Sequence, residues 1–437
     1  MSLTTWKALE GLKLPCALRL AAQLASFTRK AGETLMLSDI EHACIMNHLR
    51  VLLGRADFAY GYFENKPGEI FHAPAYKSWP SIINLIQGVC GHGLSPKNFV
   101  VCNSTLKSPA TMMCMGMLEY FYAINEFKGT PVSQRPLEED EIYDVEDRDR
   151  DGEVQAAYKR AQTIRFIPID PTLVLDREYL ARCANPQTGE VPGVDVISGN
   201  ATHIHRLYMA AAYRRAGYRG AFLGHTTQGP GMILNHGHSI AALLVSSQGR
   251  VLAIAENMKA RNETFHAEVN LVQAYMSKFD SFVQGREGVV AVYTTLKPCK
   301  MCAAMIAHAF PCCKVIYAQD DPGTHAEHLD KPTLGMHQLS QMGASVKSLQ
   351  MYDSYDVIGK KTGEVAQALD STWQAHKETS KFKGLTNALD TTKSANQMLA
   401  ASYSLERKLK KYAQGKEVKH PDVVKVLNHL QPMLERL

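Results

Sequence analysis

The sequence predicts an α/β chain of two three-layer α/β/α domains, each on a mixed five-stranded sheet, followed by a helical C-terminal tail. Three observations carry this expectation. Residues 200 to 351 alternate between helical and strand patterning in the order α-β-β-α-β-α-β-α-β, a hairpin followed by strand-helix-strand units. The strings at 64–74 and 99–117 return in altered form, in the same order, at 256–268 and 289–305. Beyond residue 356, apolar residues recur at spacings of three and four, among them Val365, Leu369 and Trp373.

Taken in order, Leu37 to Gly54 has helical apolar spacing behind a Ser38 cap, and Asp57 to Glu64 has the aromatic content of a strand. A strongly acidic run at 138–153 (E-E-D-E-I-Y-D-V-E-D-R-D-R-D-G-E) reads as a solvated loop or insertion. Thr163 to Ile169 looks like one more strand and Leu175 to Ala184 like a short helix, and Gly, Pro and Asp cluster between 189 and 199 as a boundary. Ala201 to Ala216 is a basic amphipathic helix. The strands H-S-I-A-A-L-L-V and R-V-L-A-I-A then form a hairpin turning at Gly249. A helix from His266, a strand from Val289, a helix from Cys299, a strand from Lys314, a helix around Leu334 to Met342 and a strand from Ser345 complete the series. The last strand arrives by way of a helix and so lies parallel to its neighbour. The domains expected are 1–195, 200–355 and a basic helical extension at 356–437.

With 437 residues, 45% of them hydrophobic, the chain is long enough to bury a core in each domain. No apolar run approaches a membrane span, and the N-terminal L-K-L-P-C-A-L-R-L-A-A-Q-L-A is broken by Arg19 and Gln23. Ten scattered cysteines do not resemble a secreted disulfide framework. A cytoplasmic protein without a membrane partner is expected. The tail, with fourteen Lys/Arg against nine Asp/Glu, holds a +5 excess; this suits phosphate neutralisation or a solvated helix face.

Chemistry concentrates between Thr264 and Cys302. His266, Cys299 and Cys302 supply one imidazole and two thiolates, a set that suits tetrahedral zinc with its fourth position open. Glu268 is the spare carboxylate. Zinc acidifies water, but a proton must still reach a leaving group, and a non-ligating acid/base beside the metal does that. The cysteines open one helical run and the histidine another, so two helix N-termini favour the charged ligands together. A structural zinc is the other reading, although such a site usually closes with a fourth protein ligand. In the repeat, the short strings set His72 against His266 and Pro74 against Glu268. They set Ala110 and Met113 against the two cysteines, with Cys114 one residue away. The first copy has therefore lost its chemistry, unless the matches are coincidental.

The H-x-E and P-C-x-x-C elements resemble the signature of zinc nucleobase deaminases. Residues 200 to 351 look like the cytidine-deaminase-like superfamily, most closely its tRNA adenosine deaminase branch, through C-K-M-C-A-A-M-I-A-H-A followed by K-V-I-Y-A-Q-D-D. Lys297 departs from the Glu usual in that branch before Pro-Cys. The resemblance implies Zn2+ as cofactor, Glu268 as the catalytic proton carrier, and substrate contacts from Asn257 and the Ala267 backbone. His236 and His238, just before the first strand, are further substrate-binding candidates. It implies hydrolytic deamination of adenosine to inosine in tRNA or other RNA. Cytosine to uracil on single-stranded DNA or RNA, a free nucleoside or nucleotide substrate, and a non-enzymatic zinc-stabilised binding protein are the alternatives. An active copy fused to a dead one resembles two-subunit wobble deaminases and tandem polynucleotide deaminases, implying a nucleic-acid partner and internal pairing of the two domains in a monomer.

Overall fold

The computed structural model describes residues 37–103, 111–121, 163–218, 240–319, 350–352, 399–410 and 421–436, with further short gaps. In chain order its elements are α1 (Asp39–Leu53), β1 (Phe58–Phe63), β2 (Glu69–Pro74), α2 (Ser81–Gly91), β3 (Phe99–Asn103), α3 (Met112–Tyr120) and β4 (Arg165–Pro168). There follow α4 (Thr202–Tyr218), β5 (Ala241–Ser246), β6 (Val251–Glu256), α5 (Ala267–Met276), α6 (Phe282–Gly285), β7 (Val289–Leu296), α7 (Lys300–Ala309), β8 (Lys314–Gln319), β9 (Gln350–Tyr352) and α8 (Pro421–Arg436). They divide into two compact units, Met1–Thr111 with Phe121–Val174, and Met112–Tyr120 with Leu175–Leu437. The units are drawn differently from the domains read in the sequence. Helix α3 and everything from Leu175 onward belong with the second unit.

The first unit holds a mixed sheet of order β3-β1-β2-β4. β1 is antiparallel to both β2 and β3, and β4 runs parallel to β2. Aromatic side chains explain its stability: Phe58, Tyr60 and Tyr62 alternate along β1 onto one face and pack against Ile45, Met46 and Leu49 of α1. Gly54 ends α1 in the left-handed region (φ 55°), its amide bonded to the Arg50 carbonyl at 3.0 Å. This sheet has four strands among the described residues where five were expected. Among the described residues the strand after α3 is β4, which adds to the far edge beside β2 instead of extending from β3.

The second unit holds the order β6-β5-β7-β8-β9, with β5 antiparallel to β6 and β7, and β7, β8 and β9 mutually parallel. All six residues of β5 are buried, as a strand covered on both faces requires. Helix α4 packs on β7, β5 and β6, and α5 on β6 and β5. The hairpin turns at Gly249 (φ 76°), whose carbonyl accepts the Tyr208 hydroxyl at 2.7 Å. Order and pairing in β3-β1-β2 match those in β7-β5-β6.

That match gives a correspondence between the two sheets that differs from the one the short strings suggest. His72 lies inside β2, opposite Tyr60, and not at a helix entrance. The position entering the equivalent helix is Pro80, the N-cap of α2, followed by Ser81 and Ile82. Likewise Cys114, not Met113, is third in α3 as Cys302 is third in α7. Both nitrogens of His72 are buried without a hydrogen-bond partner, and burial lowers its pKa to about 4.

Helix α4 is not amphipathic in place. Its residues Leu207 to Tyr213 are all buried, because the tail covers the side turned away from the sheet. Val426, Leu427, Leu430, Met433 and Leu434 form the buried stripe of α8, which packs on α4. Arg214 ties the two: it donates to the Leu434 carbonyl at 2.8 Å, pairs with Glu406, and lies 4.2 Å from the centre of the Tyr403 ring. Its neighbour Arg215 is bound to Glu256 at 2.8 Å. The expected helices at 334–342 and around Val365 to His376, and the acidic run at 138–153, lie outside the described residues.

Two stability predictions follow from this packing. Arg215→Met takes the guanidinium from Glu256, a 2%-exposed carboxylate, and should cost about 3 kcal/mol in urea unfolding, the order for breaking a buried ion pair; Arg214→Met should cost less, because Glu406 keeps Lys410 at 2.7 Å. His205, buried with Nδ1 2.6 Å from the Tyr293 hydroxyl, has its pKa lowered to about 4 by burial and then by Lys314. The unfolded chain takes up this proton near pH 6.5 and the folded chain refuses it. About 3 kcal/mol present above pH 6.5 should thus be lost as the pH falls toward 4. His205→Gln should flatten that part of the stability-pH curve.

Candidate metal centre

Two connections deliver the site. After β6 the chain returns through residues 257–265, closed by Asn257 N–H to the Ile240 carbonyl (2.9 Å) and Met258 N–H to the Phe265 carbonyl (2.7 Å). Asn262 Oδ1 accepts both the amide and the hydroxyl of Thr264, at 3.0 and 2.8 Å. Asn270, one turn into α5, donates to the carbonyls of Glu256 and Phe265 at 2.9 and 3.2 Å and so staples the loop to the helix. His266 is left as the N-cap of α5 in an extended conformation, its side chain making no cap bond. On the other side, buried β7 runs through Lys297 and Pro298 to Cys299, the N-cap of α7, also extended. Cys302 follows in the first turn.

The three donors meet. His266 Nδ1 lies 3.6 Å from Cys299 Sγ and 3.5 Å from Cys302 Sγ, and the sulfurs are 3.4 Å apart. A tetrahedral zinc with ordinary Zn–S and Zn–N bonds spaces such atoms by roughly 3.5–3.8 Å, so the residues present fit the ion. Their electrostatics fit it too. Burial opposes ionising either thiol. Despite it, the hydrogen bond to Cys302 and the charge of His266 hold Cys299 well below the usual thiol range. Burial and the Cys299 sulfur push Cys302 well above it. A cation between the sulfurs, with the two helix N-termini beside it, would favour both as thiolates. No other group of three such side chains gathers among the described residues.

Glu268 stands beside this triangle without joining it. It is 4% exposed, and Thr294 donates its hydroxyl to Oε1 at 2.7 Å. Burial raises its pKa; the Thr294 hydrogen bond pulls it back, and Cys299 pushes it up again. Of the other sequence candidates, Asn257 is buried directly after β6 and Ala267 is the first residue of α5, adjacent to His266. His236 and His238 lie outside the described residues. Two neighbours carried no assigned role in the sequence reading. Thr294 lies in β7 five residues before Cys299, and alternation along the strand puts it on one face with Val292 and Leu296 without naming its partner. Tyr120, whose hydroxyl is 3.2 Å from His266 Nε2, had no sequence signal.

Comparison with known families agrees with the geometry. Residues 233–339 match the family model of the Bd3614-like deaminases. The matched stretch holds His266, Glu268, Cys299 and Cys302 and runs from before β5 to past β8. It supports membership of this unit in a deaminase superfamily and a hydrolytic deaminase activity. No curated protein matches the chain. Among the described residues no helix is long and apolar enough to cross a membrane.

Elemental analysis of the purified chain should find one zinc per molecule. Cys302→Ala, which leaves a single thiolate and one imidazole, should reduce that to near zero.

Proposed function

We propose that the second unit is a zinc-dependent hydrolytic deaminase of a nucleobase carried in nucleic acid, with adenosine to inosine in tRNA or other RNA as the first reading. The observation that carries it is Glu268: a buried carboxylate, oriented by Thr294, beside three metal-ligating atoms and not one of them. A structural zinc has no use for such a group, whereas deamination needs a proton carrier at this place.

His266, Cys299 and Cys302 would hold the ion. When bound, zinc supplies Lewis-acid activation of water at neutral pH. Glu268, its carboxyl raised by burial, takes a proton from the attacking water and delivers it to the ring nitrogen of the base. It then carries the second proton, from the hydroxyl now on the ring carbon, to the exocyclic amine; the C–N bond breaks, ammonia departs, and the ring carbon, C6 of adenine or C4 of cytosine, becomes a carbonyl carbon. Thr294 keeps Oε1 in place through both transfers. Asn257 and the backbone of Ala267 are the substrate contacts in this reading, with His236 and His238 as further pocket residues. A stacked base cannot enter such a site, so the substrate is a loop, a single strand or a flipped nucleotide.

Cytosine is the second reading. Lys297 keeps it open, standing where the tRNA adenosine deaminase branch carries Glu. The first unit belongs to the same proposal as a degenerate copy. Its repeated strand order supports common descent, and Pro80, Ser81 and Ile82 at the helix entrance leave it neither imidazole nor carboxylate. The proposal places the protein in the cytoplasm.

The test is to offer the zinc-loaded protein transfer RNA, single-stranded DNA and free nucleosides, and to sequence the polynucleotides for A-to-G and C-to-T changes. A-to-G changes in RNA are expected. Turnover of free nucleosides alone would overturn the polynucleotide substrate. Glu268→Gln should keep its zinc and lose about 10³-fold in turnover, the scale of a lost general acid/base; equal activity would leave a zinc-stabilised binding protein.

A further inference from the structure

Helix α3 follows β3 in the chain yet belongs to the second unit, where it packs along α7, the helix that carries Cys302. Gly116 makes this approach possible. A Cβ there would overlap that of Ala304 and come within 2.9 Å of the Lys300 carbonyl oxygen. Met113, Cys114, Met117 and Leu118 are all buried, so α3 is a packed part of the unit. Its last residue, Tyr120, is 8% exposed and reaches His266.

The contact has a defined geometry. Tyr120 Oη is 3.2 Å from His266 Nε2, and the rings stand edge to face at 89° with centres 5.2 Å apart. Lys259 Nζ donates to the same oxygen at 3.4 Å. The other imidazole nitrogen, Nδ1, faces both cysteine sulfurs. A nitrogen that ligates a metal must offer its lone pair, so the ring proton must sit on Nε2 and needs an acceptor. The Tyr120 oxygen is placed to be that acceptor.

We propose that Tyr120 is a positioning residue for the metal centre. Its hydroxyl oxygen accepts the Nε2 proton of His266, fixing the tautomer and the ring plane that present Nδ1 to zinc, while Lys259 holds that oxygen. The proposal rests on the reading of His266, Cys299 and Cys302 as a zinc site. It adds to that site a residue 146 positions away in sequence and outside the stretch matched to the deaminase family.

The experiment compares wild type and Tyr120→Phe for Zn2+ affinity by chelator competition, and for the His266 tautomer by 15N NMR of the histidine rings. Tyr120→Phe keeps the ring and the packing of α3 and removes only the acceptor. Zinc binding should weaken roughly tenfold or more, the usual cost of losing such an outer partner, and the metal-free protein should lose its preference for the Nε2–H form. Unchanged affinity with an unchanged tautomer would overturn the proposal. Zinc-loaded wild type with the proton on Nδ1 would also overturn it, without need of the variant. Wild type that binds no zinc would remove the metal reading itself, a separate failure. Gly116→Val, which forces α3 away from α7 and leaves Tyr120 intact, should reproduce the loss.

Discussion

Two cysteine sulfurs and an imidazole nitrogen must sit within 3.6 Å of one another in a place nearly closed to solvent, and the second unit is arranged around that demand. Like-charged sulfurs at 3.4 Å repel strongly where the dielectric is low. The protein offsets this with two helix N-termini, those of α5 and α7, whose exposed amides place positive partial charge on the same spot. Bringing two helix starts together needs two strands ending at the same level of the sheet. β6 and β7 do this from either side of β5, with Ala242 paired to Ala255 on one flank and to Thr294 on the other.

Much of this was legible because it is local. A cysteine at an N-cap and another three residues on share one helix face whatever surrounds them, and His266 and Glu268, the N-cap and second residue of α5, arrive together at one helix start. The strands of the second unit were legible for a related reason: buried β-branched runs such as V-V-A-V-Y-T-T have few other places to go. What could not be read is what depends on distant packing. Nothing about Tyr120 marks it in the chain; its meaning comes from where α3 lies. The short strings were a poor guide in the first unit: they set His72 against His266, but the connection before the helix spans 75–80 there and 257–266 in the second unit, so similar strings fall on different elements.

Helix α4 shows the same limit from another direction. Its arginines suggested a charged outer face, yet Arg214 and Arg215 are both engaged in ion pairs, the first under the tail and the second on Glu256 at the end of β6. A helix covered on two sides keeps charge only where each charge meets a partner. The basic character of 356–437 likewise coexists with a packing role, since α8 turns Val426, Leu430 and Met433 inward and leaves Lys425 beside Asp422.

The placement of α3 also bears on how such a protein can be inherited. A reading frame that captured residues 175–437 would carry every metal ligand and the whole second sheet, and still arrive without the helix that lies along α7. The gap would bare Ala304 and the Lys300 carbonyl and leave one side of the histidine unattended. The two halves of this gene cannot be shuffled as independent cassettes, because the unit that holds the chemistry is spliced in space from two separated segments of text.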